Sequence, residues 1–364
     1  MKGEKRMSKF SDQLKNWLWG MKKNKKAVIT VVIVVVVIGV AVAGYLVFRS
    51  DEQVTISNTA AVDSTKQVHR VIDGVMVPIS RANFYPVAIQ IENLITVRPQ
   101  AGLASANLVY EALAEGGITR FLAIFASGDQ IDKIGPVRSA RPYFLDWTAE
   151  YEAVYAHCGG SPQALIDINT YNVLSINQIG GDHGYYWRDD TRLAPHNLYS
   201  SSELLARALR DKEADEEGDY DSWLFKEEEA LSSRPTEAKT ITIDFSTYSY
   251  EVEYVYDRQQ NVYLRSQAGE AHLDEISEKQ IAPKNIVVQY VETRLADESR
   301  LSMATIGEGE ALVFFDGKAQ EATWKKDDRQ DRTKFYDLND KEIRFNAGTT
   351  WIEVVPTDRT VEYN

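Results

Sequence analysis

Ala153-Val154-Tyr155-Ala156-His157-Cys158-Gly159-Gly160-Ser161-Pro162 reads, within ten residues, as a short buried strand, a glycine bend and the start of a helix. The apolar run 153–156 is the length of a strand core. Two glycines allow a sharp change of direction. Serine is a good N-cap and proline fits the first helical position. Upstream, Tyr143, Phe144, Trp147 and Tyr151 fall near one face of a helix over 143–151. Further back, Val87, Ile89 and Ile91 alternate with Ala88, Gln90 and Glu92, the period of a strand. The apolar runs 107–114 and 118–125 flank Glu115-Gly116-Gly117, which predicts a β-hairpin, because glycine accepts the positive φ of tight turns. This alternation of strand and helix predicts an α/β layered domain over residues 70–210.

Beyond it the character changes. Residues 211–238 are acidic, from Asp211-Lys212-Glu213 to Glu227-Glu228-Glu229, and read as a surface insertion or linker. From 239 to 358 the runs 240–243, 250–256, 261–265, 285–291, 311–315, 321–325 and 350–355 read as strands, with turn signals such as Asp316-Gly317 between some of them. They predict a smaller, β-rich second domain. There is no internal repeat.

Charge divides the chain of 364 residues unevenly. The first fifty residues carry ten Lys/Arg and two Asp/Glu, a net of +8; the rest carry 31 and 52, a net of −21, within a total of −13. The two ends are therefore expected to face different surroundings. Between them lies an uncharged run of 22 residues, 27–48, opened by Ala27 and closed by Phe48. As a helix it would reach about 33 Å, enough for a hydrocarbon core of about 30 Å. Lys22, Lys23, Lys25 and Lys26 precede it, so the positive-inside rule places the tail 1–26 in the cytoplasm and everything after Arg49 outside. Ala41-Val42-Ala43 offers the competing reading of a cleaved signal, but the apolar run continues to Phe48. In the tail, Phe10, Leu14, Trp17 and Leu18 share a helical face among lysines, which suits a helix on the inner leaflet or an unstructured basic tail. Residues 49–69 read as a polar stalk. The single cysteine, Cys158, excludes an intramolecular disulfide and supplies no lipidation site just after the apolar run.

The chemistry-bearing residues cluster near the opening stretch. A strand, Gly159-Gly160 and a helix capped by Ser161 form a corner that suits an anion, or an ordinary β-to-α connection. His157 and Cys158 are neighbours on a strand and point to opposite faces, so a thiol–imidazole pair is not expected. Arg120 follows the glycine turn; Arg138 and Arg141 flank Ser139; Arg188 and Arg192 precede Pro195-His196-Asn197. Guanidinium groups in so acidic a setting point to phosphate or carboxylate, or to internal pairs with Glu111, Glu115, Asp146, Glu150, Asp189 or Asp190. The candidate ligand site is therefore Arg120, Arg138, Ser139, Arg141, His157, Gly159, Gly160, Ser161, Arg188, Arg192 and His196. Glu111 and Glu115 are a possible carboxylate pair. No zinc spacing, Walker A loop, dinucleotide fingerprint or nucleophile elbow is present. Nucleic acid is a poor partner for an ectodomain of this charge.

Gly116-Gly117-Ile118-Thr119-Arg120-Phe121-Leu122, the run from Ile134-Gly135-Pro136-Val137-Arg138 through Ser139-Ala140-Arg141-Pro142-Tyr143-Phe144, Gly159-Gly160-Ser161-Pro162 and Ala194-Pro195-His196-Asn197-Leu198-Tyr199 resemble the signature of the YerB-like family of bacterial envelope proteins. Tyr254-Val255-Tyr256-Asp257, Asp316-Gly317-Lys318, Thr323-Trp324-Lys325-Lys326 and Gly348-Thr349-Thr350-Trp351 resemble its second domain. The resemblance spans residues 70–358 and implies an α/β domain followed by a β-rich one, with no assigned activity. The lipidation cysteine common in that family is absent. A further likeness, to the LytR–CpsA–Psr transferases, would place Arg120, Arg138 and Arg141 at a pyrophosphate, with Mg²⁺ as cofactor. The aspartate expected beside Arg120 is replaced by Thr119 and Phe121. Two functions are thus expected. One is a non-catalytic, membrane-anchored envelope protein that binds an anionic wall precursor or a wall-synthesis protein and needs no cofactor. The other is a transferase or hydrolase acting on polyprenyl-pyrophosphate-linked glycopolymers.

Overall fold

A computed structural model of the chain describes residues 66–214 and 217–364. The tail, the apolar run 27–48 and residues 49–65 of the stalk lie outside these residues, and with them the expected transmembrane anchor and its orientation. Among the described residues no helix is long and apolar enough to cross a membrane.

The first half supplies β1 (Val87–Glu92), β2 (Leu108–Leu113), β3 (Thr119–Phe125), β4 (Val154–His157) and β5 (Ser175–Asn177). After the acidic stretch come β6 (Thr240–Asp244), β7 (Glu251–Asp257), β8 (Val262–Gln267), β9 (Glu270–Ala271), β10 (Asn285–Val291), β11 (Gly307–Phe315), β12 (Lys318–Lys326), β13 (Lys334–Tyr336), β14 (Thr350–Pro356) and β15 (Val361–Tyr363). The α-helices among the described residues are α1 (Pro142–Ala149), α2 (Pro162–Thr170) and α3 (Ser202–Asp211). One ten-stranded sheet has the order β13-β12-β11-β10-β14-β2-β3-β1-β4-β5, and a five-stranded sheet the order β9-β8-β7-β6-β15.

This overturns the α/β expectation: the described part of the chain is mostly β-sheet, with three short α-helices. The expected hairpin is present, β2 against β3 in antiparallel register, with Gly116 and Gly117 at φ +67° and +73° in the turn. The strand and helix starts also fall where the local pattern puts them. The pairing is what differs. β14, near the end of the chain, lies parallel to both β10 and β2, with Thr350–Val354 in register with Leu108–Ala112. Strands from both sides of the acidic stretch thereby share one sheet. Sheet edges that look separate along the chain satisfy each other's backbone groups, which could not be buried unpaired.

The central strands β1, β2 and β14 are buried along their whole length, as expected for strands covered on both faces. On one face Tyr110 stacks on Trp147 of α1 at 5.2 Å, and Ala164 and Ile168 of α2 join the same core. On the other face Val109 and Phe121 pack with Leu205 and Ala208 of α3. The five-stranded sheet also lies on this second face. Its strands alternate cleanly: Val252, Tyr254 and Tyr256 of β7 and Tyr263, Arg265 and Gln267 of β8 point inward.

That interface holds a buried polar cluster. Glu111 and Glu353 stand opposite each other on β2 and β14. Arg265, fully buried, donates to Glu111 and lies with Nε 3.9 Å from Glu353. It also donates to His272 Nδ1, so the His272 Nε2–H donates to Gln100 Oε1 at 3.0 Å. Burial, and then Arg265, hold the His272 pKa far below its usual range, so the ring is neutral. Burial, and then Glu111, push the Glu353 carboxyl well above its ordinary value. Folded Glu353 therefore keeps a proton that the unfolded chain releases above a pKa of about 4.3. The unfolded state then binds fewer protons, and stability falls as pH rises in that window. Glu353→Gln removes this dependence. In urea titrations its stability relative to the parent is expected to rise steadily between about pH 5 and pH 8. A constant difference across that range would show Glu353 to be ionised in the fold.

Candidate functional site

The segment 137–141 runs beside the bend after β4. The Arg138 N–H donates to Gln90 O, Cys158 N–H to Arg138 O, Ala140 N–H to Gly159 O, and Ser161 N–H to Ala140 O, at 2.9–3.1 Å. This ladder sets the heads of α1 and α2 side by side. Ser161 caps α2, its Oγ accepting from Ala164 N–H at 3.2 Å. Pro142 and Pro162 fill the first turns, and Arg141 heads α1 without a side-chain cap. Gly159 adopts φ +62°, and its N–H donates to Asn177 Oδ1 at 2.9 Å.

The arginines separate into three groups. Arg120 donates to Glu115 Oε2 at 3.1 Å and to Ser139 O at 3.0 Å; Arg141 donates to the other oxygen of Glu115 and to Ala140 O. Desolvation would raise the Glu115 pKa, but Arg141 and Arg120 hold it below its ordinary value. In the second group, Arg138 Nε lies 3.2 Å from Glu92, which also meets His196 Nδ1 at 3.0 Å. Arg188 donates to Asn197 Oδ1 at 2.8 Å. The third is Arg192, which donates to Val97 O, Pro99 O and Glu275. Arg138 and Arg141 thus each meet a carboxylate.

His157 is fully buried and stacks on Tyr155 at 4.9 Å. Its Nδ1–H donates to Gly159 O at 2.7 Å, and burial lowers its pKa to about 4. It is a neutral buttress of the bend. The Ser139 hydroxyl donates to Cys158 O at 2.9 Å. Burial raises the Cys158 thiol pKa against the pull of Arg188 and Arg138, so the thiolate is disfavoured. Glu111 and Glu115 do not share a site: Glu111 faces Arg265 in the core, and Glu115 faces Arg120 and Arg141. Among the described residues no group of three His, Cys, Asp or Glu side chains is placed to hold a metal ion.

A groove of about 470 Å³ opens at the heads of α1 and α2. Of the predicted residues, Arg141 and Ser161 line it. Opposite them is the ribbon Thr293–Leu295 paired with Leu301–Met303, whose turn contributes Asp297 and Arg300. Asp297 and Arg300 pair at 2.6 Å and are each about two-fifths exposed (42% and 41%). Tyr143, Asp146, Gln163 and Ser302 complete the polar lining. Asp146 accepts from Thr305 and pairs with Arg329 at 2.6 Å; burial nevertheless raises its pKa. Sequence reading missed Arg300 because it sits in an ordinary polar turn, and only folding carries that turn to α1.

The comparisons with known proteins agree with this architecture. Residues 73–215 match the family "Protein of unknown function (DUF3048) N-terminal domain", and residues 241–352 match its C-terminal domain. The Bacillus subtilis (strain 168) protein named "Putative lipoprotein YerB" is 32% identical over 301 residues, which cover 82% of this chain and 89% of that protein. A crystal structure of the YerB protein from Bacillus subtilis superposes with a TM-score of 0.73 at 30% identity, covering 81% of this chain and 99% of the crystallised one.

Proposed function

The chain belongs to the DUF3048 (YerB-like) family, which has no assigned activity, and from that starting point we propose that it is an envelope protein binding a phosphorylated saccharide or similar anionic precursor in the groove between α1, α2 and the 293–303 ribbon. One observation carries this reading. Two helix N-termini and the guanidinium of Arg300 face a single polar groove large enough for a sugar phosphate, with Arg141, held by Glu115, in its wall.

Helix N-termini and guanidinium groups favour an anion through aligned N–H dipoles and charge. The carboxylates in the groove do not oppose this strongly. Asp146 is engaged by Arg329 and Thr305. The Asp297–Arg300 pair is exposed and screened by solvent, so a phosphate can displace Asp297 from Arg300. Asp297, Gln163 and Ser302 then remain for sugar hydroxyls. This is binding chemistry; nothing in it requires turnover. The relative named as a lipoprotein, together with the basic tail and the uncharged run 27–48, supports placing the described part of the chain on the outer face of the membrane, held by its N-terminal end.

The test is calorimetric titration of the full chain with N-acetylglucosamine 1-phosphate and with N-acetylglucosamine. The phosphate ester is expected to bind at least about ten-fold more tightly, and Arg300→Glu to remove that preference without changing the melting temperature by more than a few degrees. Equal binding of the two sugars, or an unchanged preference in Arg300→Glu, refutes the assignment.

A further inference from the structure

Apart from the groove, a second set of polar groups meets at the carboxyl ends of three parallel strands. β1 ends at Glu92, β4 at His157 and β5 at Asn177, with β4 parallel to both neighbours. Parallel sheets commonly take their ligands outside the carboxyl ends of the strands. The segment 136–138 is laced across this end: Glu92 N–H donates to Pro136 O at 2.9 Å, and Val137 N–H to Leu198 O at 2.7 Å. Arg138 and His196 are thereby brought to one carboxylate. Glu92 Oε1 lies 3.2 Å from Arg138 Nε and 3.0 Å from His196 Nδ1, and the Glu92 side chain is only 6% exposed.

The remaining atoms of Arg138 and His196 face outward. Arg138 Nε is closed off from solvent, whereas Arg138 Nη1 and Nη2 and His196 Nε2 are open to it and bond to no other described residue. A carboxylate only accepts, so the His196 Nδ1–H donates to Glu92, and the neutral ring turns an acceptor, Nε2, to solvent. Arg188, anchored by its bond to Asn197 Oδ1, adds a second cation. It stands on the same side of the bend, because Arg188 and Arg138 both act on the Cys158 thiol. Arg138, Arg188 and Glu92 together leave one positive charge.

We propose that this end of the sheet binds a 2-hydroxy acid, a carboxylate with a hydroxyl on the neighbouring carbon. The planar carboxylate accepts from Nη1 and Nη2 of Arg138 as a pair. The hydroxyl donates to His196 Nε2. A single negative charge balances the cluster, which a doubly charged phosphate would overshoot. Glu92 is a positioning residue: it fixes the tautomer of the ring and the stem of the guanidinium, and does not meet the ligand. None of these residues lines the groove between α1 and α2.

The experiment is titration of the full chain with lactate at pH 8, where an imidazole is ordinarily neutral, up to about fifty millimolar. The ring protons of the histidines are followed by NMR. The His196 signal, identified by its loss in His196→Phe, should shift saturably. Propionate, which lacks the hydroxyl, should bind at least about three-fold more weakly. Lactamide, which lacks the charge, should bind at least about ten-fold more weakly. Arg138→Lys keeps a cation beside Glu92 but not the fork. It should weaken lactate binding at least about ten-fold with the melting temperature changed by no more than a few degrees. In His196→Phe, calorimetry should find lactate and propionate bound alike, which tests the site independently of the stability of Arg138→Lys. Arg300→Glu should leave lactate binding unchanged, which separates this site from the groove. No saturable shift of the His196 signal, equal binding of lactate and propionate by the parent chain, undiminished binding by Arg138→Lys, or loss of binding in Arg300→Glu each overturns the proposal.

Discussion

Arg265→Met is expected to lower the unfolding free energy by about 3–5 kcal/mol, measured by urea denaturation at neutral pH. Arg265 is fully buried and is the cationic partner of Glu111. Its guanidinium also lies 4.8 Å from the Trp351 ring and 5.6 Å from Phe121, so it packs as well as pairs. Methionine keeps most of the volume and removes the charge. The Glu111 carboxylate then keeps only neutral donors, Asn93 Nδ2 at 3.1 Å and Thr119 Oγ1 at 2.5 Å. A buried charge without its counterion is what makes breaking such a pair costly, whereas the intact pair contributes little net stability. Arg265→Met combined with Glu111→Gln should therefore recover at least about 1 kcal/mol of the single-variant loss. A single-variant cost below about 1 kcal/mol would mean that the cluster is hydrated and that the interface between the sheets is looser than described.

The second large effect is expected at Glu150, just past the end of α1. Its side chain is fully buried and accepts from Thr333 N–H at 3.1 Å, Thr333 Oγ1 at 2.5 Å and Arg332 Nη1 at 3.1 Å, with Lys326 Nζ at 3.2 Å. Arg332 also lies over the rings of Tyr151 and Trp223, at 4.1 and 3.9 Å. Glu150→Ala leaves two buried cations without their carboxylate and should cost about 3–5 kcal/mol. Burial already lowers the Lys326 pKa, against the opposing pull of Glu150. Without Glu150, Lys326 releases its proton more readily in the fold than in the unfolded chain. The unfolded state then binds more protons, so stability rises with pH and the deficit narrows from about pH 7 to pH 10. A deficit independent of pH would place the loss in packing and not in charge.

Both clusters join parts of the chain that look independent in sequence. Glu111 and Arg265 are 154 residues apart, and Glu150 and Thr333 are 183 apart. The sequence offers Glu111, Glu115 and Glu150 among the possible partners of the arginines at 120–192. Arg120 and Arg141 do meet Glu115, and Arg138 meets Glu92, while Glu111 and Glu150 are reached by cations far along the chain. The candidate site shows the same division. Ser161 as a helix cap and the bend at Gly159 are local properties, legible in ten residues. Arg300 across the groove carries no local signature at all.

What the amino-acid sequence determined by itself was therefore local. It set the strand at 87–92, the hairpin across Gly116-Gly117, a helix through Tyr143, Phe144 and Trp147, the helix start at Pro162, and the alternating strands after residue 239. Each depends on side-chain period, caps or permitted φ within a few neighbours. The tertiary structure alone decided the fold class, by setting β14 between β10 and β2 and covering one face of that sheet with a second sheet. Which edge pairs with which, and which buried acid meets which cation, is settled by competition for burial and hydrogen bonds among segments far apart in the chain. No local period records the outcome of that competition.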